Sequence, residues 1–390
     1  MDNSDLIEPA IGGPPPGKPL PKIWLLSQGR RGDLDQMQAL AQALAWPTVT
    51  KTLAFRGPAI PALAPLLLKS SASDPLAPPW PDLIICAEAL ASVIAQRLRR
   101  LSGNRIKLLC LGRPAGSPRH FDLVLTTAQY RLPPAANTVE LALPLAGTNA
   151  RIEEQDWSLS RFLTYGESGM AAETEEQRRM ERSKPFPHIV VMVGGANFPD
   201  NLDQAIARQL ASDLNTYATQ RNGTLHFVTS PRTSRQVTDA LLENVPSPHH
   251  VHAYGGTADN LYRSIFTSAD EIIVTSDSVS MLADALTMGK PVYVYPLPRS
   301  RRLIHVVSEW CHRHVLDVTA VPLLLRPLAW LFDHGFVETT ADRHRLFDRL
   351  AAERRIGWFG GLPPAASTDT TFSSIDVAVA TVKALFPSLL

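Results

Sequence analysis

Short apolar runs separated by amphipathic stretches dominate this chain. In its first third, six runs read as strands: Lys22–Ser27 (KIWLLS), Thr48–Phe55, Asp82–Ala87 (DLIICA), Ile106–Gly112 (IKLLCLG), Phe121–Thr127 and Thr138–Leu143. Between them, Leu34–Ala45 and Ala89–Leu101 repeat apolar residues at helical spacing. A charged interval follows, containing RIEEQDW and AAETEEQRRMERSKP, and the alternation then restarts. His188–Gly195, Thr224–Ser230, His250–Gly255, Glu271–Ser276 and Pro291–Leu297 are strand-like; Asn201–Gln220, Ser234–Val245, Asp259–Ala269 and Ser278–Gly289 are helix-like. Strands this continuously apolar are buried on both faces, and their alternation with helices builds parallel sheets. The pattern predicts an α/β protein with two doubly wound halves.

The length of 390 residues fits two domains. The expected division is a disordered tail over 1–21, a first α/β domain over 22–165, a linker over 166–187 and a second α/β domain over 188–371. Apolar content of 45% is that of an ordinary globular protein, and a net charge of +1 gives no global field for nucleic acid. The three cysteines, Cys86, Cys110 and Cys311, are widely spaced and read as buried free thiols. No apolar run approaches the ~18 residues of a membrane helix, and the acidic, proline-rich start is not a signal peptide. The expected location is cytoplasmic, with any membrane contact peripheral and at the inner face. The histidine clusters HHVH and CHRH lack zinc-site spacing, so no metal is expected.

In doubly wound sheets ligands bind beyond the carboxyl ends of the strands, so the loops there carry the functional reading. The first is Gly194–Asn197 (GGAN), where Gly194 and Gly195 would admit a ligand close to the backbone and Asn197 adds an amide. The second is Thr229–Gln236, with hydroxyls at Ser230 and Thr233 and a forked cation at Arg232. The third is Asp277, Ser278, Val279, Ser280 and Met281 at a helix start, with Asp284 further along the same helix. Asp277 and Asp284 are about 10 Å apart along a helix axis, the span from a pyrophosphate to a ribose. Taken singly, each loop is also explained as a tight turn or a capped helix. Together they point to a nucleoside diphosphate. Neither GxGxxG nor GxxxxGK[ST] is present.

The stretch VTSDSVSMLADALTMGKPVYVYPL, with DNLYRSIFTSADEII before it, resembles the mitochondrial-fission "elongated mitochondria" family. So does WLLSQGRRGDLDQMQALAQAL, with its G-R-x-G and following glutamine (Gln28, Gly29, Arg30, Gly32, Gln36). Bacterial members of that family are regarded as glycosyltransferases of GT-B type. The resemblance implies a GT-B-like architecture: two Rossmann-like domains facing a cleft, with the final helix in 372–390 crossing back to the first. It implies a nucleotide-sugar donor in the second domain, with Asp284 on the ribose, and an acceptor on the first domain at Gln28–Gln36. No fitting DxD motif is present, so the expected reaction is metal-independent and needs no cofactor beyond the nucleoside-diphosphate sugar itself. Partners are that donor and a glycan or lipid-linked acceptor. The basic PRSRR stretch (Pro298–Arg302) offers charge to phosphate, an anionic acceptor or lipid headgroups. Asp33 and Glu88, at predicted strand ends facing the cleft, are the candidate catalytic bases, with helix capping the other reading of Asp33. Two further readings stand beside the transferase: a scaffold of the same shape, as the plant side of the family implies, and a nucleotide-sugar epimerase.

Overall fold

A computed structural model of the chain describes residues 19–57, 60–87, 89–145, 187–195, 197, 200–230, 232–245, 249–252, 269–299, 303–316, 321–337, 341–365 and 374–387. Most of the expected tail and linker, and the expected helix at Asp259–Ala269 except its last residue, lie outside the described residues.

Strands β1 (Ile23–Ser27), β2 (Thr48–Thr52), β3 (Leu83–Cys86), β4 (Lys107–Leu111), β5 (Leu123–Thr127) and β6 (Thr138–Leu141) form one sheet in the order β2-β1-β3-β4-β5-β6. All pairings are parallel. Helices α1 (Arg31–Leu44), α2 (Ala64–Leu67) and α3 (Ala89–Leu101) complete this lobe. The side-chain alternation of a strand explains why both sheet faces need cover. Ile23 and Leu25 enter the core beneath α1, while Trp24 and Leu26 enter the one beneath α3. Cys86 and Cys110 face each other in register across β3 and β4 as buried free thiols.

The second sheet runs β12-β11-β10-β7-β8-β9, again fully parallel. Its strands are β7 (His188–Val193), β8 (Thr224–Thr229), β9 (His249–His252), β10 (Glu271–Thr275), β11 (Val292–Tyr295) and β12 (Gly357–Trp358). Helices α4 (Gln204–Arg221) and α5 (Arg235–Leu242) cover Ile189, Val191 and Val193. Helices α6 (Val279–Thr287) and α9 (Arg343–Ala352) cover Val190 and Met192. Sequence periodicity missed β12, which at two residues is too short to show any.

Between β11 and α9 lie α7 (Leu303–Cys311), continued by a π turn, and α8 (Arg326–Asp333). This segment leans on the first lobe. Ala62 N–H donates to the Gly335 carbonyl (3.0 Å), Ser117 N–H to that of Asp333 (3.1 Å), and Asp342 N–H to that of Gln129 (2.8 Å). Arg131 forms an ion pair with Glu309 at 3.1 Å, and Arg349 reaches Glu140. The last helix, α10 (Ser374–Ala384), buries Ala378 and Val382 against Met37, Leu40 and Leu44 of the first lobe. It crosses back, as the resemblance implied.

Candidate functional site

The second sheet changes direction between β7 and β10. From β7 the chain proceeds outward to β8 and β9; from β10 it proceeds the other way to β11 and β12. The loops leaving these two adjacent strands diverge and open a crevice between them. They are the loops at Gly194 and Asp277. The loop after β8, with Arg232, lies beside them.

Asp277 ties the three together. Its side chain is fully buried, accepting from Gly195 N–H (2.8 Å) and from the Thr275 hydroxyl (2.7 Å), with the Arg232 guanidinium 3.8 Å away. Burial pushes its carboxyl up, against the pull of those hydrogen bonds and of Arg232 and Arg343. Thr275 Oγ1 in turn accepts from Gly194 N–H at 2.9 Å. A Cβ on Gly194 would overlap the Asp277 carboxylate, and one on Gly195 would overlap the Arg232 carbonyl. The glycine pair is therefore required by internal packing, which corrects the reading of it as a ligand approach. Asp277 is likewise an internal strut, not a group presented to ligand.

The second loop behaves similarly. Thr233 Oγ1 accepts from Ser230 N–H (2.9 Å) and donates to the Val193 carbonyl (3.0 Å), and Arg232 N–H donates to Ser230 Oγ (3.2 Å). Ser230 and Thr233 shape the turn, and Ser234 caps α5. The Arg232 side chain is nearly half exposed and faces outward beside Asp277, as do Ser234, Arg235 and Gln236 further along the loop. Asn197 donates to the Asp277 carbonyl (2.9 Å) and is also a strut.

Helix α6 starts at its cap, Ser278, whose Oγ accepts from Met281 N–H. Val279, Met281, Leu282 and Ala285 point into the core. Val279 and Met281 thus leave the expected ligand face, because the apolar side of the helix takes them. Ser280 and Asp284, spaced i and i+4, share the opposite side. That side faces the first lobe: a Cβ on Gly32 would stand 3.1 Å from Ser280 Oγ. Asp284 is partly buried, and its carboxyl is pushed up to about 7, first by burial and then by the charge of Asp35 on α1. The amides of Val279 and Ser280 have no intrahelical acceptor, since the first turn of any helix leaves its donors unfilled.

On the first lobe, Gly29 adopts φ +85° after β1 and donates its N–H to Ser27 Oγ (3.0 Å). Arg30, exposed, is the N-cap of α1, so Asp33 is not; it sits in the first turn. Gln28 is partly buried beside it, and Gln36 donates to the Gly32 carbonyl at 3.2 Å. Asp33 and Gln36 line a small recess of about 20 Å³, partly open to solvent, at the carboxyl ends of β3 to β6. Thr126, Thr127, Gln129 and Tyr130 line it too, and the buried hydroxyls of Thr126 and Thr127 find no partner there. Burial raises the Asp33 carboxyl, with Arg30 opposing. Glu88, the other candidate base, lies outside the described residues.

Sequence reasoning missed a network that anchors the first loop. Asp200, buried, accepts from Arg343 (2.7 Å) and His344 (3.2 Å), and Arg343 also donates to the Asn197 carbonyl (2.6 Å). Burial alone would raise the Asp200 carboxyl, but the His344 and Arg343 hydrogen bonds outweigh it and hold it below its ordinary value. Nothing local in NFPD or DRHRLF signals this pairing.

Two facing doubly wound lobes with a returning carboxyl-terminal helix define a protein of GT-B architecture. A sequence profile described as mitochondrial fission ELM1 matches residues 31–315. The chain belongs to that family. It is 26% identical over 312 residues to the uncharacterized protein RP120 of Rickettsia prowazekii, covering 73% of this chain and 86% of that one. It is 26% identical over 220 residues to the mitochondrial fission protein ELM1 of Arabidopsis thaliana, covering 54% of this chain and 50% of that protein. Among solved structures it resembles MurG of Acinetobacter baumannii with a TM-score of 0.40 and 13% identity, over 94% of this chain and 91% of that one. A likeness that distant carries no functional argument; the architecture rests on the strand orders themselves. Among the described residues, no group of three or more metal-ligating side chains converges, and no helix is long and apolar enough to cross a membrane.

Proposed function

We propose that this chain is a metal-independent glycosyltransferase that moves a sugar from a nucleoside diphosphate to an acceptor hydroxyl. The observation that carries this reading is the opposition of Ser280 and Asp284, at the switch point of the second sheet, to the start of α1 with Asp33 on the first. The donor's phosphates would lie at the Val279 and Ser280 amides with Arg232 beside them, and its ribose at Asp284. The acceptor would enter by the recess that Asp33 lines. The acceptor oxygen attacks the anomeric carbon while its proton passes to Asp33, and the bond from that carbon to the diphosphate oxygen breaks. The leaving diphosphate takes the electron pair, stabilised by Arg232 and the helix amides.

Turnover is tested by mixing the protein with nucleoside-diphosphate sugars, with and without glycan or lipid-linked acceptors. Release of free diphosphate only when acceptor is present supports transfer. Asp33→Asn should abolish that release while donor binding persists. Donor binding without release under any acceptor would leave a nucleotide-binding scaffold. Internal engagement of the Gly194 and Gly195 amides removes two donors that a phosphate could have used, which favours a scaffold that binds no nucleotide; absence of binding to any nucleotide would mark that reading.

A further inference from the structure

Helices α7 and α8 bury Cys311, Val315 and Phe332 between them, which satisfies their inner faces. Their outer faces are apolar as well. Val306 is 62% exposed, Leu323 74%, Leu324 92% and Trp330 51%, and Trp310 is also exposed. Val306 and Trp310 share one side of α7 by their i, i+4 spacing, and Leu323 and Trp330 share one side of α8 and the turn before it. A helix that is apolar on both sides while one side meets solvent is missing a neighbour.

The first lobe adjoins this segment and carries a further exposed leucine. The hydrogen bond from Ala62 N–H to the Gly335 carbonyl joins the end of α8 to the turn before α2, and α2 carries Leu66, 77% exposed. Cationic side chains rim these elements. Arg56, whose N–H bonds the Leu67 carbonyl, and Lys69 flank α2; Arg313 and Arg326 flank the other end. Of the acids on α7 and α8, Glu309 is paired with Arg131, leaving Asp333.

The two tryptophans are held in place. His314 stacks on Trp310 (4.9 Å, 20°) and His334 on Trp330 (4.2 Å, 27°). Each imidazole Nδ1–H donates to the carbonyl of the tryptophan four residues earlier, at 3.0 and 2.9 Å. Fixed indole rings beside protruding leucines, edged with arginine and lysine, match a bilayer interface. The rings sit at the headgroup level, the leucines enter the acyl boundary and the cations meet anionic lipid.

We infer that α2, the turn at Leu323–Leu324 and the outer faces of α7 and α8 form a surface that binds anionic phospholipid bilayers. This inference stands independently of sugar transfer. It also uses other residues than PRSRR, whose charge the sequence offered to phosphate, an anionic acceptor or lipid headgroups alike.

The test is co-sedimentation of the full chain with vesicles of phosphatidylcholine, alone or mixed with phosphatidylglycerol. Binding to the mixed vesicles is expected, weakening as salt is raised. The double variant Leu323→Ser/Leu324→Ser, at two exposed positions, should bind on the order of tenfold more weakly or worse, with its melting temperature unchanged. Arg326→Glu should weaken binding to the mixed vesicles only. Absence of binding to mixed vesicles at low salt, or equal binding by the double variant, overturns the inference. So does a dimer of the chain that the double variant dissolves while vesicles bind neither protein, since the surface would then join two copies.

Discussion

Gly32, in the first turn of α1, and Ser280, in the first turn of α6, meet across the cleft, with 3.1 Å between a Cβ built on the glycine and the serine Oγ. The gap has room for hydrogen and little more. Gly32→Ala requires a shift of a few tenths of an ångström and should be tolerated. Gly32→Leu should hold the lobes apart, raising the radius of gyration in small-angle X-ray scattering while the melting temperature falls by only a few degrees. An unchanged scattering curve would mean that this contact does not set the lobe spacing.

The glycine pair at the end of β7 separates two roles. If Gly194 and Gly195 served only ligand approach, alanine there would spare the free protein. Because their hydrogens abut the Asp277 carboxylate and the Arg232 carbonyl, Gly194→Ala and Gly195→Ala should each cost about 2–4 kcal/mol of unfolding free energy. Urea denaturation of the unliganded variants measures this.

Asp277→Ala should be comparably damaging. It strands the Gly195 N–H and the Thr275 hydroxyl in a buried site, at about 2–4 kcal/mol. Asp277→Asn keeps an acceptor oxygen and should retain roughly half of that stability. Equal losses in the two variants, read by urea denaturation, would point to the charge and not the hydrogen bonds.

Both sheets were legible in the sequence because their central strands, such as LIIC of β3 and HIVVMV of β7, are almost continuously apolar, a signal that needs no partner to read. The candidate site was read from a related signal: turn residues at strand ends mark where such sheets open. The roles within the site were not. Asp277 and Gly195 are 82 positions apart, and Asp200 and Arg343 are 143 apart. Which polar side chain satisfies which backbone group is decided by tertiary contact, so polar residues that hold loops together look the same in sequence as polar residues that hold a ligand. The same holds for α6. Spacing put Asp277, Ser280 or Met281, and Asp284 on one face; the core draws Met281 inward and leaves Ser280 beside Asp284.

Asp284 gives the protein a pH-dependent stability. Its carboxyl is raised from 3.8 to about 7 in the folded chain, so between those values the folded state keeps a proton that the unfolded state has released. Stability contributed by this group is full below about pH 4, falls as pH rises, and levels off above about pH 7. Asp284→Asn should remove that slope and stabilise the protein at pH 8 by about 2 kcal/mol, allowing for the partial exposure of the group. Denaturant melts from pH 5 to pH 8 give the comparison. Asp35→Asn should shift the slope to lower pH.

Donor binding should release a proton near neutral pH. Ribose hydroxyls donating to Asp284 favour its ionised form and draw its carboxyl below about 7. Affinity should therefore rise as pH increases through 7. The observed binding enthalpy should vary with the ionisation enthalpy of the buffer, and Asp284→Asn should lose that dependence.

Isothermal titration calorimetry of the full chain against uridine, guanosine, adenosine and cytidine nucleotides and their sugar conjugates tests the central claim most directly. The account predicts that one nucleoside diphosphate binds, and that Arg232→Ala weakens it by about tenfold or more through loss of a charge-assisted contact. If no nucleotide binds at millimolar concentration, or if Arg232→Ala binds as tightly as the unaltered chain, the switch point of the second sheet is not a donor site.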